Sequence, residues 1–183
     1  GGSEGRRTNI SLAVQSCNGV ILLPGETFSY NDVLGERTAD KGYQPAGAYS
    51  DGEVVEQLGG GICQVSSTLF AAVLHTDLEI LTRANHSMPV SYLPMGMDAT
   101  VSWGGPEFKF KNNFAYPIKI SASYSGGTIT FKILGAASDK KKIEVEIKKA
   151  GEMSAETYRK YYDENGNVTS TKRVARSNYK PHS

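Results

Sequence analysis

The chain has 183 residues, with 20 basic and 19 acidic side chains and a net charge of +1. That length gives one ordinary domain, or one domain with an appendage, and enough residues to bury a core. The near-balanced charge lacks the basic excess of a nucleic-acid binder, and two cysteines with three histidines make neither a disulfide framework nor a four-ligand zinc site.

Gly1-Gly2-Ser3 reads like a remnant of expression cloning, so the lack of a signal peptide or transmembrane run says nothing about location. Residues 1–7 are taken as remnant and lead-in. Residues 8–18 predict a first helix. Ile10, Ala13, Val14 and Cys17 recur at helical spacing, Thr8 is a candidate cap, and Asn18-Gly19 is a stop signal. Cys17 lies on the apolar stripe and reads as a small core residue. Val20–Leu23 predicts a short strand, followed by the Pro24-Gly25 turn. Phe28-Ser29-Tyr30 and Asn31-Asp32 lead into a helical turn, and residues 35–55 read as loops and short strands.

Gly59-Gly60-Gly61 opens a second helix over residues 62–75, with Ile62, Val65, Leu69, Ala72 and Val73 on its apolar face and Cys63 to one side. Strands are then expected at Glu79–Asn85, Val90–Leu93, Ala99–Trp103, Phe108–Lys111, Ile118–Tyr124 and Thr128–Leu134, with a Ser125-Gly126-Gly127 hairpin turn. Lys142–Lys149 alternates apolar and charged residues as a half-exposed strand. Tyr158–Tyr162 and Val168–Val174 flank the hairpin signal Asn165-Gly166. Ala136–Lys142 is the expected linker. The expected architecture is α+β: a cysteine-bearing helix packed on a mainly antiparallel sheet, with a C-terminal β extension. Helices do not alternate with the later strands, which argues against a doubly wound parallel sheet.

The segment GGGICQVSS at 59–67 concentrates the chemistry. A cysteine in the first helical turn meets free backbone N–H groups and the positive end of the dipole, both of which favour thiolate. The preceding glycines, Gly61 in particular, let backbone approach closely and can aim donors at an oxyanion. These are features of acyl transfer through a cysteine; a buried filler cysteine is the competing reading. A thiol nucleophile needs a base. His75 lies twelve residues on, about 18 Å along a helix, and His182 is the penultimate residue, in the tail. His86 follows a predicted strand and is the candidate base. Asp98 is the candidate orienting group, with a turn-capping aspartate as its rival. The order Cys-His-Asp is that of papain-like and transglutaminase-like enzymes. Gln57, six residues before Cys63, and Gln64, next to it, are candidate oxyanion donors. Tyr30, Tyr43, Tyr49, Tyr92 and Trp103 are groove-lining or core aromatics, with no role assigned.

The chain resembles the VanW family through Pro24–Ser29 (PGETFS), GGGICQVSS at 59–67, His86–Val90 (HSMPV), Asp98–Val101 (DATV) and Phe110–Asn113 (FKNN). These segments occur in the family's order over about residues 8–135. That span is expected to be the catalytic domain, and residues 136–183 a C-terminal β-hairpin extension of it. The resemblance implies a Gram-positive cell-envelope protein, often behind a membrane anchor, on the extracellular face. Some family members act as L,D-transpeptidases. Cys63 would then be the nucleophile, His86 the base and Asp98 a third member, acting on peptidoglycan stem peptides with no metal or organic cofactor. The lysines at 140–142 and 148–149 read as a solvated face that would suit an anionic cell wall. A hydrolase using water, a peptidoglycan-binding module with Cys63 merely buried, and a redox pair with Cys17 are the competing functions.

Overall fold

The computed structural model describes residues 3–50 and 53–181; Gly1, Gly2, His182 and the Tyr49 side chain lie outside the described residues. Helix α1 (Glu4–Cys17) starts four residues before the predicted position. Its cap is Ser3, not Thr8: the Ser3 hydroxyl accepts the Arg6 N–H at 3.1 Å, and Glu4 adds a negative charge at the positive end of the dipole. Residues expected to be lead-in are therefore helix. Asn9, Ile10, Ala13, Val14 and Cys17 form its buried face.

Strand β1 (Ile21–Leu22) is followed by β2 (Thr27–Ser29), the short helix α2 (Tyr30–Leu34), and the paired strands β3 (Pro45–Ser50) and β4 (Glu53–Leu58). Helix α3 (Ile62–Leu74) follows, then β5 (Glu79–Thr82), β6 (Lys109–Lys111), β7 (Ile118–Ser125) and β8 (Thr128–Leu134). The last strands are β9 (Lys142–Gly151), β10 (Ser154–Tyr162) and β11 (Val168–Asn178). Every described strand pair is antiparallel. The strand orders are β1-β7-β8, β2-β6-β5, β3-β4 and β11-β10-β9. Residues 137–139, in the expected linker, form one 3-10 turn.

Two predicted strands are absent. Val90–Leu93 lies between Pro89 and Pro94 and bends; a proline offers no N–H to a ladder and fixes φ. Ala99–Trp103 joins no sheet because its backbone is taken elsewhere. The Ala99 N–H donates to Ser67 Oγ at 2.9 Å, and the Ala99 carbonyl accepts from Ser66 Oγ at 2.7 Å and Ser67 Oγ at 3.1 Å. Thr100 N–H donates to Ala84 O and Ser102 N–H to Pro106 O. The segment is thus laid along α3 by hydroxyls of that helix.

The core gathers α3's Val65, Leu69, Phe70, Val73 and Leu74 with Phe108 and Phe110 of the β2-β6-β5 region and Ile118 and Ile120 of β7. Phe28 stacks on Phe110 at 4.9 Å, and Phe70 meets Phe108 edge-on at 5.5 Å. Each fully buried side chain of this size contributes about 1.5–3 kcal/mol. The C-terminal sheet is pinned to the far end of α3 by Arg159. Its Nε donates to Leu74 O at 3.0 Å and its Nη2 to Val73 O at 2.9 Å, at the negative end of the helix dipole. Among the described residues no helix is long and apolar enough to cross a membrane.

Candidate active site

Three glycines set up the helix start. Gly59 and Gly61 have φ of +84° and +105°, a left-handed backbone that other residues resist. At Gly60 the reason is space: a Cβ there would fall onto the Ala46 carbonyl and within 2.7 Å of the Gly47 oxygen. Asn9, fully buried on α1, holds this turn. Its Nδ2 donates to Gly60 O at 2.9 Å and Gln44 O at 2.8 Å, and its Oδ1 accepts the Gln44 N–H. Tyr30 donates its hydroxyl to Ile62 O at 3.0 Å. The first turn of α3 is thereby fixed from two sides, with its backbone N–H groups at the positive dipole end.

Cys63 is half-buried in this turn. Its Sγ donates to Val101 O at 3.3 Å, accepts the Val101 N–H at 3.5 Å and lies 3.7 Å from Thr100 Oγ1. His86, 8% exposed, comes from the loop after β5. Its Nδ1 lies 2.7 Å from Asp98 Oδ2, and the same oxygen accepts the His86 backbone N–H at 2.7 Å. An ionised carboxylate only accepts, so Nδ1 carries the proton and Nε2 is left for the thiol. Asp98 is 1% exposed; its Oδ1 accepts the Tyr179 hydroxyl at 2.5 Å and faces Arg83 Nη2 at 3.5 Å.

Electrostatics follow from this geometry. Burial raises the Cys63 pKa, but a hydrogen bond with His86, its positive charge, and donors from Val101 and Thr100 outweigh it and leave the thiol below its ordinary value. Burial disfavours the charged imidazole of His86 too. Asp98 and the Cys63 thiolate reverse that and carry His86 from 6.5 to about 9. Burial opposes ionisation of Asp98, yet donors from His86 and Tyr179 and the charge of Arg83 hold it below the ordinary carboxylate range. The three groups titrate as a unit, with thiolate and imidazolium favoured together. Cys17 contrasts: fully buried on α1, its thiol is pushed up to about 12 by burial.

Cys63 and His86 open onto a cleft of about 1110 Å³. Gly61, Gln57 and Gln64 line it as well, with Tyr92 and the half-exposed Trp103 on its walls. Gln64 Oε1 accepts Arg6 Nη2 at 2.6 Å, which fixes the carboxamide beside the helix start. Gln57 is in β4, and its backbone carbonyl accepts the Gly60 N–H. Tyr30 and Tyr43 are core residues rather than groove walls. His75 is exposed at the opposite end of α3, its Nδ1 2.8 Å from the Ala71 carbonyl. Sequence reasoning missed Asn9, Ser66, Ser67, Arg83 and Tyr179. Ser66 and Ser67 stood in the quoted GGGICQVSS segment, but nothing local marks the other three.

Among protein families, the model described as VanW like protein matches residues 5–134. The uncharacterized protein YoaR of Bacillus subtilis (strain 168) is 49% identical over 127 residues, covering 69% of this chain and 42% of that relative. Vancomycin B-type resistance protein VanW of Enterococcus faecalis (strain ATCC 700802 / V583) is 35% identical over 115 residues, covering 60% of this chain and 42% of that relative. The chain thus spans less than half the length of both curated relatives. No solved structure matches it.

Proposed function

The chain belongs to the VanW family, and from that premise we propose that it is a cysteine-dependent peptidoglycan L,D-transpeptidase working at the extracellular face of the cell envelope. The observation that carries this reading is the Cys63–His86–Asp98 arrangement at the wall of an open cleft. It supports reading Cys63 as a nucleophile at a helix start, His86 as its base and Asp98 as the orienting carboxylate. The relative named for vancomycin B-type resistance supports a cell-wall context.

In the proposed reaction the Cys63 thiolate attacks the carbonyl of the third residue of a tetrapeptide stem. The C–N bond to the terminal D-Ala breaks, and the imidazolium of His86 gives its Nε2 proton to the departing amine. Backbone N–H groups at the start of α3, with the Gln64 or Gln57 carboxamide, stabilise the oxyanion. A side-chain amine of the third residue of a second stem then attacks the thioester. His86 takes a proton from that amine, the C–S bond breaks, and the thiolate–imidazolium pair is restored with a 3–3 crosslink as product. The acyl group and the protons balance without a metal or an organic cofactor.

Product analysis tests this. Purified disaccharide-tetrapeptide incubated with the protein is expected to release D-Ala and form crosslinked dimers. Tripeptide without dimers, even with an added amine acceptor, would make water the acceptor and the protein an L,D-carboxypeptidase. Measurable muropeptide binding with neither product would make it a binding module.

A further inference from the structure

We propose that the C-terminal sheet is part of the active site, and that Tyr179 is a positioning residue for the Asp98–His86 pair, seconded by Ser177 through Arg83. The inference rests on the reading of Cys63 as a nucleophile and goes beyond it, because the family match stops at residue 134, well before the segment that supplies these groups.

Tyr179 immediately follows β11 and is 7% exposed. Its hydroxyl donates to Asp98 Oδ1 at 2.5 Å and accepts the Gly96 N–H at 2.8 Å, so it ties both the carboxylate and the loop before it. With Oδ1 held there, Oδ2 is turned toward the two His86 donors. Arg83 repeats the link: its Nη1 donates to Ser177 Oγ at 2.7 Å and its Nε to Asp98 O at 2.8 Å. Three more bonds join the same two parts: Lys180 N–H to Ser87 O at 2.7 Å, Asn85 Nδ2 to Asn178 O at 2.8 Å, and Thr157 Oγ1 to Gly96 O at 2.7 Å. The loop from Asn85 to Asp98 carries the base and its orienting group yet contains no strand of its own. Its rigidity is borrowed from the C-terminal sheet, which is anchored to α3 through Arg159. On the sheet's other face Tyr162 donates to Glu144, away from these contacts.

The test is the pH dependence of Cys63 alkylation by iodoacetamide, measured on the whole chain with Tyr179→Phe, Ser177→Ala and, as a control on the same sheet, Tyr162→Phe. Losing a hydrogen bond to a buried charge that orients the base is expected to slow Cys63 alkylation at pH 6–7 by about tenfold in Tyr179→Phe. Its rise with pH moves upward. Ser177→Ala moves the profile the same way by less, and serves alone if Tyr179→Phe fails to fold by thermal unfolding. Tyr162→Phe stays on the wild-type curve. The direction matters. Freeing an Asp98 lone pair without loss of orientation would strengthen the imidazolium and shift the rise downward. A downward shift, or no shift in folded Tyr179→Phe and Ser177→Ala, overturns the proposal while leaving the nucleophile reading intact. A wild-type Cys63 that titrates like a free thiol overturns both.

Discussion

Replacing Asp98 by Asn keeps shape and removes charge, which makes it an incisive perturbation of the site. In the wild type, His86 is carried from 6.5 to about 9 against the opposing effect of burial, with Asp98 the first of the favourable contributors and Cys63 the other. At about 1.4 kcal/mol per pH unit, that net corresponds to roughly 3 kcal/mol of preference for imidazolium. The thiolate of Cys63 depends on the same imidazolium. Losing the carboxylate therefore lowers the imidazolium population, and with it the thiolate population, near neutral pH. The sign is fixed by the geometry: wild-type alkylation rises with pH below the ordinary thiol value of 9.0, and alkylation of the Asp98→Asn protein rises at higher pH than wild type. Stopped-flow or quenched alkylation with iodoacetamide over pH 5–10, with Cys17 counted separately by mass, reads this directly. Thermal unfolding of the same samples shows whether the fold is kept. Rates within twofold of wild type at every pH, in a folded Asp98→Asn protein, would refute the argument that Asp98 sets the charge state of the pair.

Other perturbations separate structure from chemistry. Gly60→Ala drives a Cβ into the Ala46 and Gly47 carbonyls; overpacking of this kind costs about 1–3 kcal/mol and is expected to lower Tm and Cys63 reactivity together, where an unchanged Tm would show that the turn adapts. Asn9→Ala leaves the Gly60 carbonyl and the Gln44 N–H without the Asn9 side chain and takes one of two donors from the Gln44 carbonyl, a loss of about 1–3 kcal/mol in urea unfolding; a smaller change would mean that water replaces the side chain. Native protein at pH 7 is expected to take one alkyl group, on Cys63, and a second only after denaturation, since Cys17 is fully buried and pushed up to about 12. Labelling of Cys17 in the folded state would contradict its place in the core.

What the sequence made legible were the local signals. The glycine-led start of α3, the apolar stripes of α1 and α3, and the Gly-containing hairpin turns are written over windows of a few residues. Cys63 was marked by its place in the first turn of a glycine-led helix, His86 and Asp98 by their places beside predicted strands, and His75 could be set aside by helix length alone. Positions 99–101 were misread because Ala-Thr-Val composition suits a strand, while the deciding partners are hydroxyls of Ser66 and Ser67 more than thirty residues away. The start of α1 was missed because a cap depends on one hydroxyl, that of Ser3. Asn9, Arg83 and Tyr179 act through contacts that no periodicity announces: Tyr179 and Asp98 are 81 residues apart. Supporting polar networks of this kind are visible only once the chain is folded.

Intact-protein mass after mixing with purified disaccharide-tetrapeptide reads whether Cys63 forms an acyl intermediate. An adduct equal to the donor minus D-Ala is expected on the wild-type protein and none on Cys63→Ala. An adduct that persists in Cys63→Ala, or its absence from folded protein with Cys63 reduced while D-Ala is being released, would contradict an acyl intermediate on Cys63.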